Sequence, residues 1–323
     1  MIKVLEDRDF PTDALRPLAS ARSAGRKLRF KGEEVVVEEL TDASFADIDY
    51  ALFSAGASIS KEFAPKAVEA GALVIDNSSA FRMDPETPLV VPEVNAADAF
   101  ANKGIIANPN CTTIIMLVAL KPLHDYGRVT RVTVATYQSA SGAGAKAMQE
   151  LEDQAHGWVA GERLVVEHFA HQLLFNLIPH IDAFVEGGYT KEELKMVNET
   201  RKIMHAPEII VSPTCVRVPV ARAHSEAVFI ETELKITVET ARKLFEEAPG
   251  IALVDEPEQG RYPMPLDATG GDDCFVGRIR EDLAVPNGLN FWVVGDQLRK
   301  GAALNAVQIA ELFAVNAGAA SGQ

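Results

Sequence analysis

At 323 residues, 47% of them hydrophobic, the chain can bury a sizeable core and is expected to form two domains. Its 46 acidic and 31 basic residues leave a net charge of −15, which argues against nucleic acid and anionic membrane as partners but not against a small anionic substrate. Three scattered cysteines, Cys111, Cys215 and Cys274, make neither a disulfide framework nor a CxxC metal pattern. With no membrane-length stretch and no signal-peptide core, they point to a reducing cytoplasm.

Residues 2–8 read as the end of an amphipathic helix, stopped by Pro11. Residues 15–19 read as a short strand, followed by a polar, basic turn over 20–27. Two strands, 27–30 and 34–40, turn at Lys31-Gly32. An apolar strand over 51–54 ends in Ser54-Ala55-Gly56, and a helix over 60–70 stops at Gly71. A strand over 73–76 and the apolar stretches 89–95 and 105–107 complete this half. Strands alternating with helices predict an α/β fold with a doubly wound, mostly parallel, Rossmann-like sheet.

The texture changes from Arg128 onward. Residues 129–138 alternate as in a long strand and lead into a loop of small residues, 139–145, then a helix over 146–156. Residues 170–188 are aromatic and apolar around Pro179. A charged amphipathic helix over 190–205 opens with Thr190 and Glu193, a capping box. Stretches 209–219, 227–238 and 290–294 read as strands of a mostly antiparallel sheet. A last helix spans 302–315, with 318–323 as a disordered tail. Residues 1–110 plus 300–323 are expected to form a nucleotide domain, and 111–299 an α+β catalytic and dimer-forming domain.

The chemistry centres on Asn108-Pro109-Asn110-Cys111-Thr112-Thr113. An apolar strand feeds this stretch and an uncharged helix leaves it. Asn110 can cap that helix, which puts Cys111 where free N–H groups and the helix dipole favour a thiolate. The plainer reading is a buried core cysteine. Downstream, Arg217 and His224 lie in Arg-Val-Pro-Val-Ala-Arg-Ala-His-Ser, read as one strand running through to His224. They suit a carboxylate ligand and a base, or equally a solvated surface strand. Glu192 and Lys195 share a helix face and read as an exposed ion pair. His168 and His171 lack a third metal ligand and read as a solvated helix, so no metal site is expected.

Asn-Pro-Asn-Cys-Thr-Thr resembles the active-site motif of the aspartate-semialdehyde dehydrogenase family. The resemblance runs from Met1 to about Ala314. It implies that Cys111 is the nucleophile, with Asn110 beside it, and His224 the general acid/base. Gln138 would contact substrate, and Arg217 would hold the substrate carboxylate. Ser141-Gly142-Ala143-Gly144 would line the nicotinamide site; as residues alone they read as a plain turn. Glu192 would meet the substrate amino group. Lys195 would meet phosphate, as would Arg82, which otherwise reads as a loop-surface charge. Arg22 and Ser23 would read a 2′-phosphate, implying NADP, and Ser54, Gly56 and Gln297 would complete the cofactor contacts. The implied reaction is the NADPH-dependent reduction of L-aspartyl-4-phosphate to the semialdehyde, and its reverse, in lysine, threonine and methionine synthesis. The enzyme would be a homodimer or tetramer. A related N-acetyl-glutamyl-phosphate reductase and a non-catalytic, cofactor-defective chain are the rival readings.

One feature departs from the family. A nucleotide domain of this type opens with a strand and a Gly-rich turn, and neither is present. The chain therefore reads as one that starts at an internal Met. Three expectations follow: weak NADP(H) binding, a groove or wide strand spacing beside Ala51–Ser54, and Met1 close to that groove.

Overall fold

The computed structural model describes residues 1–320, with side chains described as far as 314. The chain divides into two units, residues 1–109 with Ala303 onward, and Asn110–Ala302.

The first unit starts with helix α1 (Ile2–Asp7). Four short strands follow: β1 (Leu18–Ala19), β2 (Lys27–Phe30), β3 (Glu33–Val36) and β4 (Glu38–Glu39). The stretch predicted as one strand over 34–40 is broken in two at Val37, because Gly25 and Arg26 bond that residue instead. Lys31 and Gly32 both have positive φ, 48° and 84°, the backbone a tight β2–β3 hairpin requires. Next come β5 (Tyr50–Phe53), α2 (Ala57–Glu69) and β6 (Leu73–Asp76). Of the apolar stretch at 89–95, Leu89 only bridges to Ala107; Pro92 starts a single helical turn, α3 (Pro92–Asn95), before β7 (Ile105–Ala107).

Strands β5, β6 and β7 form a parallel sheet in that order, and β1 pairs in parallel with β4 as a separate sheet. The β6 residues Val74 and Ile75 are wholly buried, as a strand covered on both faces must be. Among the described residues β5 is an edge strand. A cavity of about 790 Å³ lies along it, lined by Leu18 and Ala19 of β1, Ala51, Leu52 and Phe53 of β5, and Met1. The groove expected beside Ala51–Ser54 is thus present, with Met1 in its wall.

The second unit opens with α4 (Cys111–Gly127). Thr112 to Leu120 are buried on every side of this helix, matching its uncharged sequence. Then follow β8 (Val129–Gln138), α5 (Ala145–Ala160), α6 (Lys191–Ile203), β9 (Ile210–Arg217) and β10 (His224–Thr232). After them come α7 (Val238–Glu247), β11 (Ile251–Leu253), α8 (Pro265–Ala268), β12 (Cys274–Glu281) and β13 (Gly288–Gly295). Helix α7 and strands β11 and β12 were not foreseen from the sequence.

The six-stranded sheet runs β11-β12-β13-β10-β8-β9, with parallel pairs at both edges and antiparallel pairs between. The expected single strand from Arg217 to His224 does not exist. Strand β9 stops at Arg217, the chain turns with Ala223 at φ 69°, and His224 begins β10 on the far side of β8. His168 and His171 lie on an irregular segment rather than a helix. The last helix, α9 (Leu304–Ala320), belongs to the first unit and continues through Gly318; residues 321–323 of the expected tail lie outside the described residues.

Candidate active site

Asn110 caps α4 as its sequence suggests. The Asn110 Oδ1 accepts from the N–H groups of Thr112 and Thr113, at 3.1 and 3.4 Å. Cys111 is the first residue of that helix and partly exposed, whereas Cys215 and Cys274 are buried. A Cβ on Gly301 would stand 2.9 Å from the Cys111 Cβ, so glycine is needed for the chain to pass the nucleophile.

The other side of the Asn110 amide joins a polar network. Its Nδ2 donates to Glu192 Oε1 at 3.0 Å, and Gln138 Nε2 donates to the same oxygen at 3.1 Å. Lys195 Nζ donates to Glu192 Oε2 and to Asp182 Oδ2, both at 2.9 Å. Glu192 is therefore not a surface residue. Burial pushes its carboxyl up, but the Lys195 charge and the three donors outweigh that and hold it below the usual range. The capping box of Thr190 and Glu193 forms as predicted and fixes the start of α6, the helix carrying Glu192 and Lys195.

A second cluster forms where β8 ends. Gln138 and Arg217 are register partners across β8 and β9. The Arg217 backbone pairs with Ile178 in both directions, and its Nη1 donates to Ser139 O at 2.6 Å. The Ser139 N–H donates to His224 Nδ1 at 3.0 Å. A Cβ on Gly142 would meet His224 Cε1 at 2.8 Å and Arg217 Nη1 at 3.0 Å, so only glycine lets the loop cross both side chains. Burial pulls His224 down to about 3, and the Arg217 charge adds to this. Burial also pulls Arg217 down, while Cys111 and Glu192 pull it back up. Ser141 accepts from Gln297 Nε2 at 2.6 Å, and the Gln297 Oε1 accepts from Ala223 N, so Gln297 ties loop 139–144 to the turn before His224. Ala143 and Gly144 are exposed on that loop.

The structure thus gathers Asn110, Cys111, Gln138, Glu192, Lys195, Arg217, His224, Gln297 and the loop 139–144 in the second unit. The remaining expected residues belong to the first. Arg82 is buried there, donating through Nε to Asn108 O at 2.9 Å and through Nη2 to Asn77 O at 3.1 Å. It is not the loop-surface charge that its bare context suggests. Ser23 and Ser54 line the cavity, and Arg22 is exposed in the turn after β1. Gly56 caps α2 with φ 93° and no side-chain bond, leaving backbone donors at that helix end available to an anion.

Several contributing residues escaped the sequence reading. Thr136 Oγ1 holds the Gln138 Oε1 at 3.0 Å, and its position two before Gln138 on one strand face was the available signal. Glu199 Oε2 accepts the Asn110 N–H at 2.7 Å; it lies two turns from Glu192 on the same helix face. Ser139 gave no sign beyond its place in a loop of small residues. Glu226, wholly buried with no hydrogen-bond partner for either oxygen among the described residues, is pushed well above the carboxylate range by burial.

The semialdehyde dehydrogenase NAD-binding domain matches residues 1–102, and the semialdehyde dehydrogenase dimerisation domain matches residues 120–300. The aspartate-semialdehyde dehydrogenase of Aquifex aeolicus is 56% identical over 316 residues, 97% of this chain and 93% of the relative. The crystal structure of Vibrio cholerae aspartate semialdehyde dehydrogenase II complexed with ASA superimposes with a TM-score of 0.94 at 48% identity, covering 96% of this chain and 93% of that one. The more distant Candida albicans enzyme, solved with NADP, has a TM-score of 0.71 at 25% identity, covering 93% and 90%. With matches of this extent laid over one contiguous Cys–His–Arg–Glu cluster, the chain belongs to the aspartate-semialdehyde dehydrogenase family.

Proposed function

We propose that the chain interconverts L-aspartyl-4-phosphate and L-aspartate-4-semialdehyde through a thioester on Cys111, with NADP as cofactor and as a homodimer, in lysine, threonine and methionine synthesis. The observation that carries this reading is the pairing of opposite charges around Cys111. Buried Glu192 is held anionic chiefly by the Lys195 charge and bonds Asn110, the neighbour of the nucleophile, and Arg217 abuts the loop that covers His224. An amino acid offers an ammonium and a carboxylate, and these two groups complement them. Glu192 would take the ammonium and Arg217 the carboxylate, leaving the fourth carbon to Cys111. The same anion disfavours the N-acetyl-glutamyl-phosphate alternative, whose acylated nitrogen carries no charge.

Cys111 attacks the acyl carbon, helped by the α4 N-terminus. His224 would serve as the general acid/base, and Gln138 and Asn110 keep Glu192 in place. In the second unit Lys195 would meet phosphate, exchanging its Asp182 contact for the anion; in the first, Arg82 is the cation that the resemblance assigns to phosphate. Arg22 and Ser23, with Ser54 and Gly56 at the open end of α2, are the residues that would hold the cofactor. Arg22 supplies the positive charge that a 2′-phosphate requires. When bound, the nicotinamide supplies or accepts the hydride.

The test separates acyl transfer from cofactor binding. The 323-residue protein is incubated with aspartyl-4-phosphate without nucleotide, and its intact mass and peptides are measured. An aspartyl adduct on Cys111, removed by hydroxylamine and blocked by prior iodoacetamide, is expected. NADPH titration and turnover are measured in parallel. Absence of the adduct, or labelling confined to Cys215 or Cys274, overturns the reading.

A further inference from the structure

Cys111 begins α4 and His224 begins β10, two elements far apart in the chain. One segment, 295–301, touches both. Gly295 is the register partner of His224, and Gly301 passes the Cys111 side chain. Asp296 shapes this segment. It is wholly buried, and its Oδ1 accepts from the N–H groups of Leu298 and Arg299 at 2.9 and 3.1 Å. Its main-chain O accepts from the Gly301 N–H at 3.1 Å, which closes the turn onto Cys111. Its Oδ2 accepts from the Gly270 N–H at 2.7 Å. Arg222 Nε stands 2.8 Å from the same oxygen, as an ion pair whose N–H is not aimed along the contact. Arg222 lies in the turn before His224, and Gln297 Oε1 accepts from the Ala223 N–H of that turn at 2.8 Å. A buried carboxylate is costly unless donors surround it, so segment and turn are drawn together around Asp296.

We propose that Arg222 and Asp296 are positioning residues that together set the separation of His224 from Cys111. The inference rests on the reaction of the preceding subsection, with its acid/base role for His224, and adds placement rather than a chemical step. One end of the tie is the turn that leads into His224. The other is Gly301, beside the nucleophile. Without the Arg222 charge the buried carboxylate lacks its cation, and turn and segment are free to drift apart. Reacting groups displaced by about 1 Å can lose on the order of 10²-fold in rate. The groups proposed to hold the substrate are anchored elsewhere, Glu192 by Asn110, Gln138 and Lys195, and Arg217 by Ser139 O. The defect therefore falls on the rate of acylation and spares substrate affinity.

The experiment follows acylation of Cys111 in the full chain by aspartyl-4-phosphate without nucleotide, by intact mass, at a series of substrate concentrations. R222Q should lower the limiting rate at least about tenfold while the half-saturating concentration stays within about twofold. R222K keeps a cation opposite Asp296 Oδ2. An ammonium can replace a single contact that is not bidentate, so R222K should recover to within about threefold of wild type. R222Q combined with D296N should be no slower than the slower single variant, because each breaks the same tie. A wild-type rate in R222Q, a change in half-saturation alone, an R222K as slow as R222Q, or multiplied losses in the double variant overturns the proposal. If D296N fails to fold, R222Q and R222K decide.

A second arm needs no substrate, so its failure is distinct from failure to form the Cys111 adduct. Native-state hydrogen exchange is read at the Ala223 and Gly301 N–H groups, the two ends of the tie. R222Q should speed both at least about tenfold, and R222K should restore their protection. T237A, which loosens α7 instead, should move them no more than its loss of stability explains. Unchanged exchange in R222Q, or a rise no larger than its own loss of stability explains, overturns the proposal.

Discussion

Glu192 and Arg217 are both buried charges, and each is expensive to leave without partners. Glu192 has three donors, and its carboxyl is depressed. A depressed acid contributes stability that is present above the unfolded carboxylate value and is lost as pH falls through the folded one. Replacing Glu192 with Gln should therefore flatten the fall in stability below about pH 4.5, measured by urea unfolding at successive pH values. An unchanged slope would remove Glu192 from the buried network. Arg217 is a different case because its fork meets both Ser139 O and the expected substrate carboxylate. Arg217→Lys should lower kcat/KM by about 2–3 kcal/mol, roughly 30- to 150-fold, since an ammonium cannot replace a planar fork. Measured beside Tm, a loss of kcat/KM no larger than the loss of stability explains would exclude a substrate contact.

At the level of elements, two helix starts and the ends of three strands do the positioning. Helix α4 delivers Cys111 at its first residue, and α6 delivers Glu192 and Lys195 in its first two turns. Both depend on a side-chain cap at the end nearest the chemistry. Thr190→Ala removes half of the α6 capping box and should cost about 1 kcal/mol, a Tm drop of roughly 2–4 °C. Because the frayed turn carries Glu192, acylation of Cys111 should slow as well. Thr237→Ala is the matched control. Thr237 caps α7 through the Thr240 N–H, and α7 carries none of the site residues. A similar stability loss with no kinetic effect is expected there. Equal kinetic effects from both caps would show that α6 does not position Glu192 through its first turn.

For the whole molecule, net charge and the arrangement of strands matter most. A charge of −15 favours solubility and repels anions at long range, so binding an anionic substrate would call for local cations, for which Arg217 and Lys195 of the second unit are proposed. In the first unit the β5 edge and β1 border a cavity of about 790 Å³ rather than pairing with each other. Backbone groups along such an edge are bonded on one side only. Native-state hydrogen exchange should therefore find β1 and β5 less protected than β6, which has a strand on each side, and less than β8 and β10 in the second unit. Protection of β5 equal to that of β6 would mean that the edge is covered in solution.

Local signals in the sequence determined a good deal by themselves. Asn110 followed by Cys111 and an uncharged run specifies a capped helix buried along its first half, because cap chemistry and burial pattern are local properties. Thr190 and Glu193 specify the start of α6 for the same reason, and the alternation of residues 129–138 specifies β8. What the sequence could not carry is which of these ends meet. Arg217 and His224 read as one strand, yet they lie on β9 and β10 with β8 between them. They come together because loop 139–144 runs over both, at a glycine no larger residue could replace. Glu192 and Lys195 read as a surface ion pair. Only the packing of α6 against the start of α4 buries Glu192, leaves Lys195 half-buried and hands the carboxylate to Asn110 and Gln138. The bond from the Ser139 N–H to His224 Nδ1 was equally invisible, since its partners lie 85 residues apart in the chain. Capping and periodicity depend on neighbours a few residues apart, whereas register and the partners of buried charges depend on contacts that only the folded chain makes.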